Sequence, residues 1–489
     1  MGWFRIPRNA RIGLTGAAVT LAVAACQTYA PAPLPVKPDL LDRLPMQQPG
    51  PVNMDQVATI AVINNPDLRS ARYKDGVADA QAFEAGILPN PQLAAGLALP
   101  TNQQPGRTAD CQPNCALPGA GWNFGLTYDL QTFLTQGAKV ATAEAARDQA
   151  KLNVLWQEWQ TVQQARTLYA TGINVEEKRV LYQAAEDRYA VQSQRSQQAL
   201  RAGDITFDTA GTDLAALLDA RSQLRTTERA ESQNIFNIRA LIGVTQNVDV
   251  TLRPLGVPDI PDRAAVEAAL AKVAQVRPDL RALQAGYQSQ EESLREAVLA
   301  QFPSIQFGVS RATDTPGDRS DIGKVVHSIN IGATISLPLF DHNQGNIAIQ
   351  RATRAQLLAE YQARLDQATS DSWRIWNEMQ ELNTAYNEVE MSLPQLQANA
   401  DAAERAYMNG DLPALTAVAL QSALITREAE AADLKQSLWS DSIALASVLG
   451  TQVEPVVEMP VAEMPVAEMP IAEMPVAEMP VVEMKEPMP

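Results

Sequence analysis

The chain states the same landmarks twice. Asn65-Pro66-Asp67-Leu68-Arg69 returns as Arg277-Pro278-Asp279-Leu280-Arg281, and Leu88-Pro89-Asn90 returns as Phe302-Pro303-Ser304. Gly137 is answered by Gly345, Gly203-Asp204 by Gly410-Asp411, and Ile242-Gly243 by Leu449-Gly450. Five landmarks in one order, each displaced by about 210 residues, make a duplication, so the fold of one half dictates the fold of the other. The two units span 54–253 and 263–451, joined by a proline-bearing linker at 254–262.

Each unit changes hydrophobic period twice. It opens on a helix, first from Met54 to Ala85 and broken at the Asn65-Pro66 step, where Pro suits the first position of a new helical segment. A region of period two follows. At 328–337, Ile329, Ile331, Ala333, Ile335 and Leu337 alternate with Ser328, Asn330, Gly332, Thr334 and Ser336, and Pro338 then removes the ladder donor. Ile305, Phe307 and Val309 alternate likewise, which makes a β-hairpin over 304–337. Leu93, Ala95 and Leu97, with Trp122, Phe124, Leu126 and Tyr128, make its counterpart over 92–129. Beyond it lie long stretches rich in Ala, Gln, Glu and Arg. These predict two helical hairpins, 137–243 and 345–450, each far longer than a globular helix and therefore of coiled-coil type. Gly203 and Gly410 allow the reversals, and Asp204 and Asp411 are expected to cap the returning helices.

The expected class is mainly α with a small β part. Four strands with one apolar face cannot close a barrel, and an open edge in lipid leaves backbone groups unpaired. Oligomerisation removes the edges: three copies supply about twelve strands, enough for an aqueous channel. In such a homotrimer the long helices continue the β-barrel as a helical tunnel.

The first residues indicate the compartment. Arg5, Arg8 and Arg11 precede an apolar run ending in Val23-Ala24-Ala25-Cys26, so 1–25 reads as a secretory signal of the lipoprotein kind and Cys26 as the acylated first residue of the mature chain. Gln27 after it favours the outer membrane, and one acyl chain alone holds only marginally. Residues 26–53 read as a proline-rich tether. A net charge of −17 argues against nucleic acid. Two histidines and three cysteines give no His/Cys metal site, and no phosphate-binding loop or nucleophile motif is present. The chain is thus read as no enzyme, with no cofactor beyond the covalent lipid. Cys111 and Cys115, in the exported loop of the first hairpin, are placed for a local disulfide, with a metal clip as the alternative. The tail, 452–489, repeats Glu-Met-Pro and carries Met459, Met464, Met469, Met474, Met479, Met484 and Met488, seven of the chain's 13 methionines. It reads either as a disordered spacer or as a soft-metal trap, since thioethers select Cu(I) or Ag(I).

Asn-Pro-Asp-Leu-Arg at 65–69, Leu-Pro-Asn-Pro at 88–91, Leu-Pro-Leu-Phe-Asp-His-Asn-Gln-Gly at 337–345 and the helix-ending Gly243 and Gly450 together resemble the TolC-type outer-membrane efflux family. The 337–345 segment is similar to that of the CzcC-like components of heavy-metal exporters. The resemblance covers about 54–451. It implies a trimeric outer-membrane duct with a periplasmic helical tunnel, docked to a periplasmic adaptor and an inner-membrane pump of the resistance-nodulation-division type. It makes Arg201, Gly203, Asp204, Gly410 and Asp411 the adaptor-contacting tips, although plain turn chemistry also accounts for them. Asp208 and Asp213, just past the first tip, are candidates for an acidic ring at a periplasmic gate, or for a solvated helix face. Heavy-metal cations are the expected cargo. Drugs or secreted proteins through the same duct, or a non-conducting structural lipoprotein, are the alternatives.

Overall fold

A computed structural model describes residues 29–44, 50–99, 121–314 and 325–451. Two compact units result, Met1–Asp42 and Arg43–Pro489. In the first, the described residues 29–42 are exposed.

The second unit runs α1 (Met54–Asn64), α2 (Pro66–Gly86), β1 (Gln92–Ala98), β2 (Gly121–Asp129), α3 (Gln131–Ala202), α4 (Phe207–Leu241), α5 (Arg263–Leu270), α6 (Val273–Val276), α7 (Pro278–Leu299), β3 (Ser304–Asp314), β4 (Val326–Ser336), α8 (Gln344–Met408) and α9 (Ala414–Leu449). The class is the one expected, mainly α with a four-stranded sheet. Helix α3 has 72 residues and α8 has 65, so each is roughly 100 Å long at about 1.5 Å per residue. Helix α3 starts six residues before Gly137, taking its first turn from Asp129, whose carboxylate accepts from the Gln131 amide and whose carbonyl accepts from Thr132.

The sheet is antiparallel in the order β1-β2-β3-β4. The two hairpins are therefore one sheet, because the second strand of one repeat pairs with the first strand of the other.

Cores form where the short helices cross the midpoints of the long ones. Met54, Val57, Ile60, Tyr169, Ile173, Ile238, Ile242 and Trp439 build one, while Val266, Ile375, Met379, Leu445 and Leu449 build its counterpart. At the repeat spacing, Tyr169 and Trp376 do the same work. The Tyr169 hydroxyl, with one proton to share between the Val52 and Arg253 carbonyls at 2.8 and 2.7 Å, also accepts from the Arg253 amide, and the Trp376 indole donates to Pro261. Burial, with the Arg253 contacts opposing, pushes the Tyr169 phenol up to about 12. The linker 254–262 is thus pinned, with the Trp439 indole also donating to Gly256. One expectation changes here. Residues 26–53 are not tether throughout, since Val52 is buried and exchanges backbone bonds with Thr251 and Arg253, and Asn53 caps α1 in a capping box with Gln56. A β-branched residue beside a good cap is a poor tether end.

The repeated landmarks are joints. Asn65 caps α2 by accepting from Leu68, and its amide donates to Leu241 at the end of α4. Gly243, just beyond that end, sits at φ +68°, and a Cβ there would lie 2.7 Å from the Asn64 carbonyl oxygen. Gly203, at φ +83° in the first tip, has open space around it. Gly203→Ala is expected to cost about 1–2 kcal/mol, the left-handed backbone alone, and Gly243→Ala distinctly more because the backbone of α1 must move as well. Thermal unfolding of the two variants, followed by circular dichroism, checks the order; equal losses would remove the packing role of Gly243.

Candidate functional site

Register divides the sheet cleanly into two faces. One carries Leu93, Leu126, Val309 and Ile331 on neighbouring strands, then Tyr128, Phe307 and Ala333, and then Ile305 and Ile335. The other carries Ala94, Gly125, Ser310 and Asn330, then Gly96, Asn123, Ala312 and Ser328, then Gln92, Thr127, Gly308 and Gly332. Leu93, Ile329 and Ile331 are 74%, 72% and 69% exposed, so most of the apolar face has no cover among the described residues. The other face is small-chained, with Asn123 and Asn330 exposed and Thr127 and Ser310 half-buried, and β1 and β4 each leave an edge unpaired among the described residues. Such a sheet is incomplete as it stands. No described helix is long and apolar enough to cross a membrane.

The far ends of the long helices form the second region. Both tips turn identically: the Asp204 amide donates to Ala199 and the Asp411 amide to Ala406, with Gly203 and Gly410 at positive φ. Arg201, Gly203, Asp204, Gly410 and Asp411 are all exposed there. The capping assignment is corrected. Thr206 caps α4 by accepting from Thr209, and α9 begins after Pro413 with no side-chain cap, so Asp204 and Asp411 are free of that duty. Sequence order favoured the Asp beside the Gly, but the loop needs two more residues before helical geometry resumes.

Asp208 is exposed in the first turn of α4, whereas Asp213 is completely buried. The Gln192 amide donates to one Asp213 oxygen at 2.6 Å; the Tyr407 hydroxyl donates to the other at 2.8 Å, and so does Ser196. Asp213 is therefore neither a solvated face nor a ring charge in this structure, but a tie between α3, α4 and α8. Burial, aided by Asp213 and opposed by Ser196, raises the Tyr407 phenol above its ordinary value, so it remains a donor at neutral pH. Sequence reading missed Gln192, Ser196 and Tyr407. The available signal was the spacing of Gln192 and Ser196, which puts both on one face of α3.

Further ties join α3 to α9. Asn174 and Lys178 reach Asp433, Lys435 reaches Glu177, Gln436 donates to Thr171, and the Tyr189 and Ser422 hydroxyls meet at 3.4 Å. Deeper along α9, burial and then Glu378 push Asp441 up to about 6, with Arg374 opposing. Its Oδ2 is buried without a hydrogen-bond partner among the described residues. A carboxyl whose folded pKa lies above its unfolded one favours folding only while protonated. Stability from this group is therefore expected to fall as pH rises from about 4 to about 6. Asp441→Asn is expected to flatten that slope; a denaturation midpoint with the same pH profile in both proteins would contradict it.

Among the described residues, no group of three or more His, Cys, Asp or Glu is arranged to hold a metal ion. Cys26, Cys111, Cys115 and the tail methionines Met459, Met464, Met469, Met474, Met479, Met484 and Met488 lie outside the described residues.

Residues 269–451, the second repeat, match the family model described as outer membrane efflux protein. The cobalt-zinc-cadmium resistance protein CzcC of Cupriavidus metallidurans is 22% identical over 323 residues, 64% of this chain and 69% of CzcC. CusC, described as forming a transmembrane channel, shares 17% identity at a TM-score of 0.67 over 86% of this chain and 99% of its own. The CmeC outer membrane channel of Campylobacter jejuni shares 14% at 0.66, over 81% and 85%.

Proposed function

We propose that this chain is a TolC-type outer-membrane efflux protein and the exit duct of a tripartite exporter, passing heavy-metal cations from the periplasm to the outside, as the match of 269–451 to the outer membrane efflux protein model and the shared fold support. The observation that carries the reading is the sheet, exposed on its apolar face and open at both edges among the described residues, with apolar and small polar residues sorted by register. In three copies, β4 of one chain meets β1 of the next, about twelve strands close, the apolar face meets lipid and the small polar face lines water. Helices α3, α4, α8 and α9 continue the passage into the periplasm. There the tips at Arg201, Gly203, Asp204, Gly410 and Asp411 meet a periplasmic adaptor bound to a pump of the resistance-nodulation-division type. Asp208, exposed at the first tip, supplies the acidic charge of the gate, and Asp213 holds the tips together. Domain limits follow the repeat, 54–253 and 263–451, with the Val52 anchor added to the first. Acylation at Cys26 and a Cys111–Cys115 disulfide belong to the same reading, with the lipid as the one non-protein group.

Metal cargo rests on the likeness to CzcC and CusC and on the tail. A synthetic tail peptide titrated with Cu(I) is expected to bind better than its Met-to-Leu counterpart; equal affinity ends the tail's metal role. The deciding experiment is growth of a deletion strain, with the restored gene as control, on a panel of metal ions and organic drugs. Sensitivity confined to metals supports the proposal. Sensitivity to dyes and antibiotics keeps the duct and changes its cargo, and no phenotype with a monomeric protein in detergent favours a structural lipoprotein.

A further inference from the structure

The apolar face of the sheet is interrupted at one end. Register places Arg311 between Phe124 and Ile329, and Thr313 between Trp122 and His327. Of the face's described side chains, only Arg311 and His327 can carry positive charge. Both are exposed, and they are diagonal neighbours on adjacent strands, a separation of about 7–8 Å that long side chains span. The Thr313 hydroxyl, itself buried, lies 3.1 Å from His327 Nδ1, which fixes the ring and leaves Nε2 for an outside partner. No described acid pairs with Arg311, whereas seven of the sixteen arginines of the long helices have an acid partner.

The position is what gives the pair meaning, on the reading that this face meets lipid. A cation facing hydrocarbon at mid-membrane costs about 2–4 kcal/mol, falling to about 0–1 near the headgroups. Arg311 and His327 stand near the strand ends remote from the helices, past the Val309–Ile331 and Phe307–Ala333 rungs. Trp122, which suits an interface, stands beside them at the same end. With the helices on the periplasmic side, these ends reach the outer leaflet, whose glycolipid carries phosphate close to its acyl chains. Arg offers that phosphate a planar fork of donors, and His327 adds one more when its Nε2 carries the proton.

We infer that Arg311 and His327 form a binding site on the outer wall of the duct for the phosphate of an outer-leaflet glycolipid, one site per chain. The inference rests on the duct reading, and the two fail separately. The full-length protein, purified in detergent, is titrated with fluorescent lipid A carrying both phosphates and with its dephosphorylated form, in wild type, Arg311→Gln and Arg311→Lys. Wild type is expected to prefer the phosphorylated lipid by about tenfold, a charge-assisted contact. Arg311→Gln is expected to lose that preference, and Arg311→Lys to retain part of it. Wild type without preference, or Arg311→Gln that keeps it, overturns the site. Displacement of the lipid by an excess of inorganic phosphate overturns it in favour of a free-ion site. Trimer formation and bilayer conductance, measured on the same preparations, are expected to be unchanged in Arg311→Gln; their absence in wild type refutes the duct and not the lipid contact.

Discussion

If the chain is the proposed duct, Asp213→Ala is expected to loosen the helix tips and raise its conductance. The carboxylate is completely buried and accepts from Gln192, Ser196 and Tyr407, three donors on two other helices. Removing it leaves the Gln192 amide without that acceptor, and the Ser196 and Tyr407 hydroxyls, 3.3 Å apart, with only each other. A buried donor without a partner costs about 1–3 kcal/mol, so even partial relaxation leaves the tie weakened by more than a factor of ten in equilibrium terms. Tyr407→Phe removes one donor and keeps the carboxylate satisfied by the other two, so its effect is expected to be smaller. The double variant is expected to be little worse than Asp213→Ala alone, because neighbours in one network do not add. Single-channel recording of the four proteins in planar bilayers reads the order directly. Wild-type conductance in Asp213→Ala would show that the buried tie is structural only. Asp208→Ala is the contrasting case: exposed in the first turn of α4, it is expected to change cation selectivity and leave the open probability alone.

The duplication and the alternation were legible because both are properties of spacing. Two periods, near 2 and near 3.6, separate strand from helix without any knowledge of contacts. The four strands, the two long hairpins and their class followed from that. The pairing of β2 with β3 did not, because nothing in either strand specifies a neighbour from the other repeat. At the helix tips, the reversal was legible from Gly203 and Gly410, while the caps were assigned to the nearest Asp when the chain uses Thr206 in one tip and none in the other. Asp213 shows a deeper limit. An acid on a polar helix looks solvated, and its burial depends on Tyr407, which arrives from the other repeat. That tie was invisible because Tyr407 reaches Asp213 from across the duplication.

The joints at the repeated landmarks give the second large effect. In the first repeat the joint is neutral: Asn65 reaches Leu241, and Asp67 beside it is exposed. In the second, Arg277 takes the same place and its guanidinium reaches Val448, the matching carbonyl. The longer cation is held by a buried, two-bonded pair with Asp279, at 2.9 and 2.7 Å, and stacks near Trp156 at 5.4 Å. Arg277→Ala therefore strands a carboxylate that is only 8% exposed, and the expected loss is about 3–5 kcal/mol. Asn65→Ala breaks one bond to Leu241 and one cap, with no charge left behind, and is expected to cost about 1–3 kcal/mol. The two repeats thus differ in how they fail. Arg277→Asn alone copies the first joint but leaves Asp279 buried and unpaired, so it is expected to recover little. Arg277→Asn with Asp279→Ala removes the orphan charge and is expected to bring the loss down to that of Asn65→Ala. Thermal unfolding of the four variants by circular dichroism tests the scheme. If Arg277→Ala is no worse than Asn65→Ala, the ion pair adds nothing beyond the shared carbonyl contact, and the two joints are equivalent in energy as well as in place.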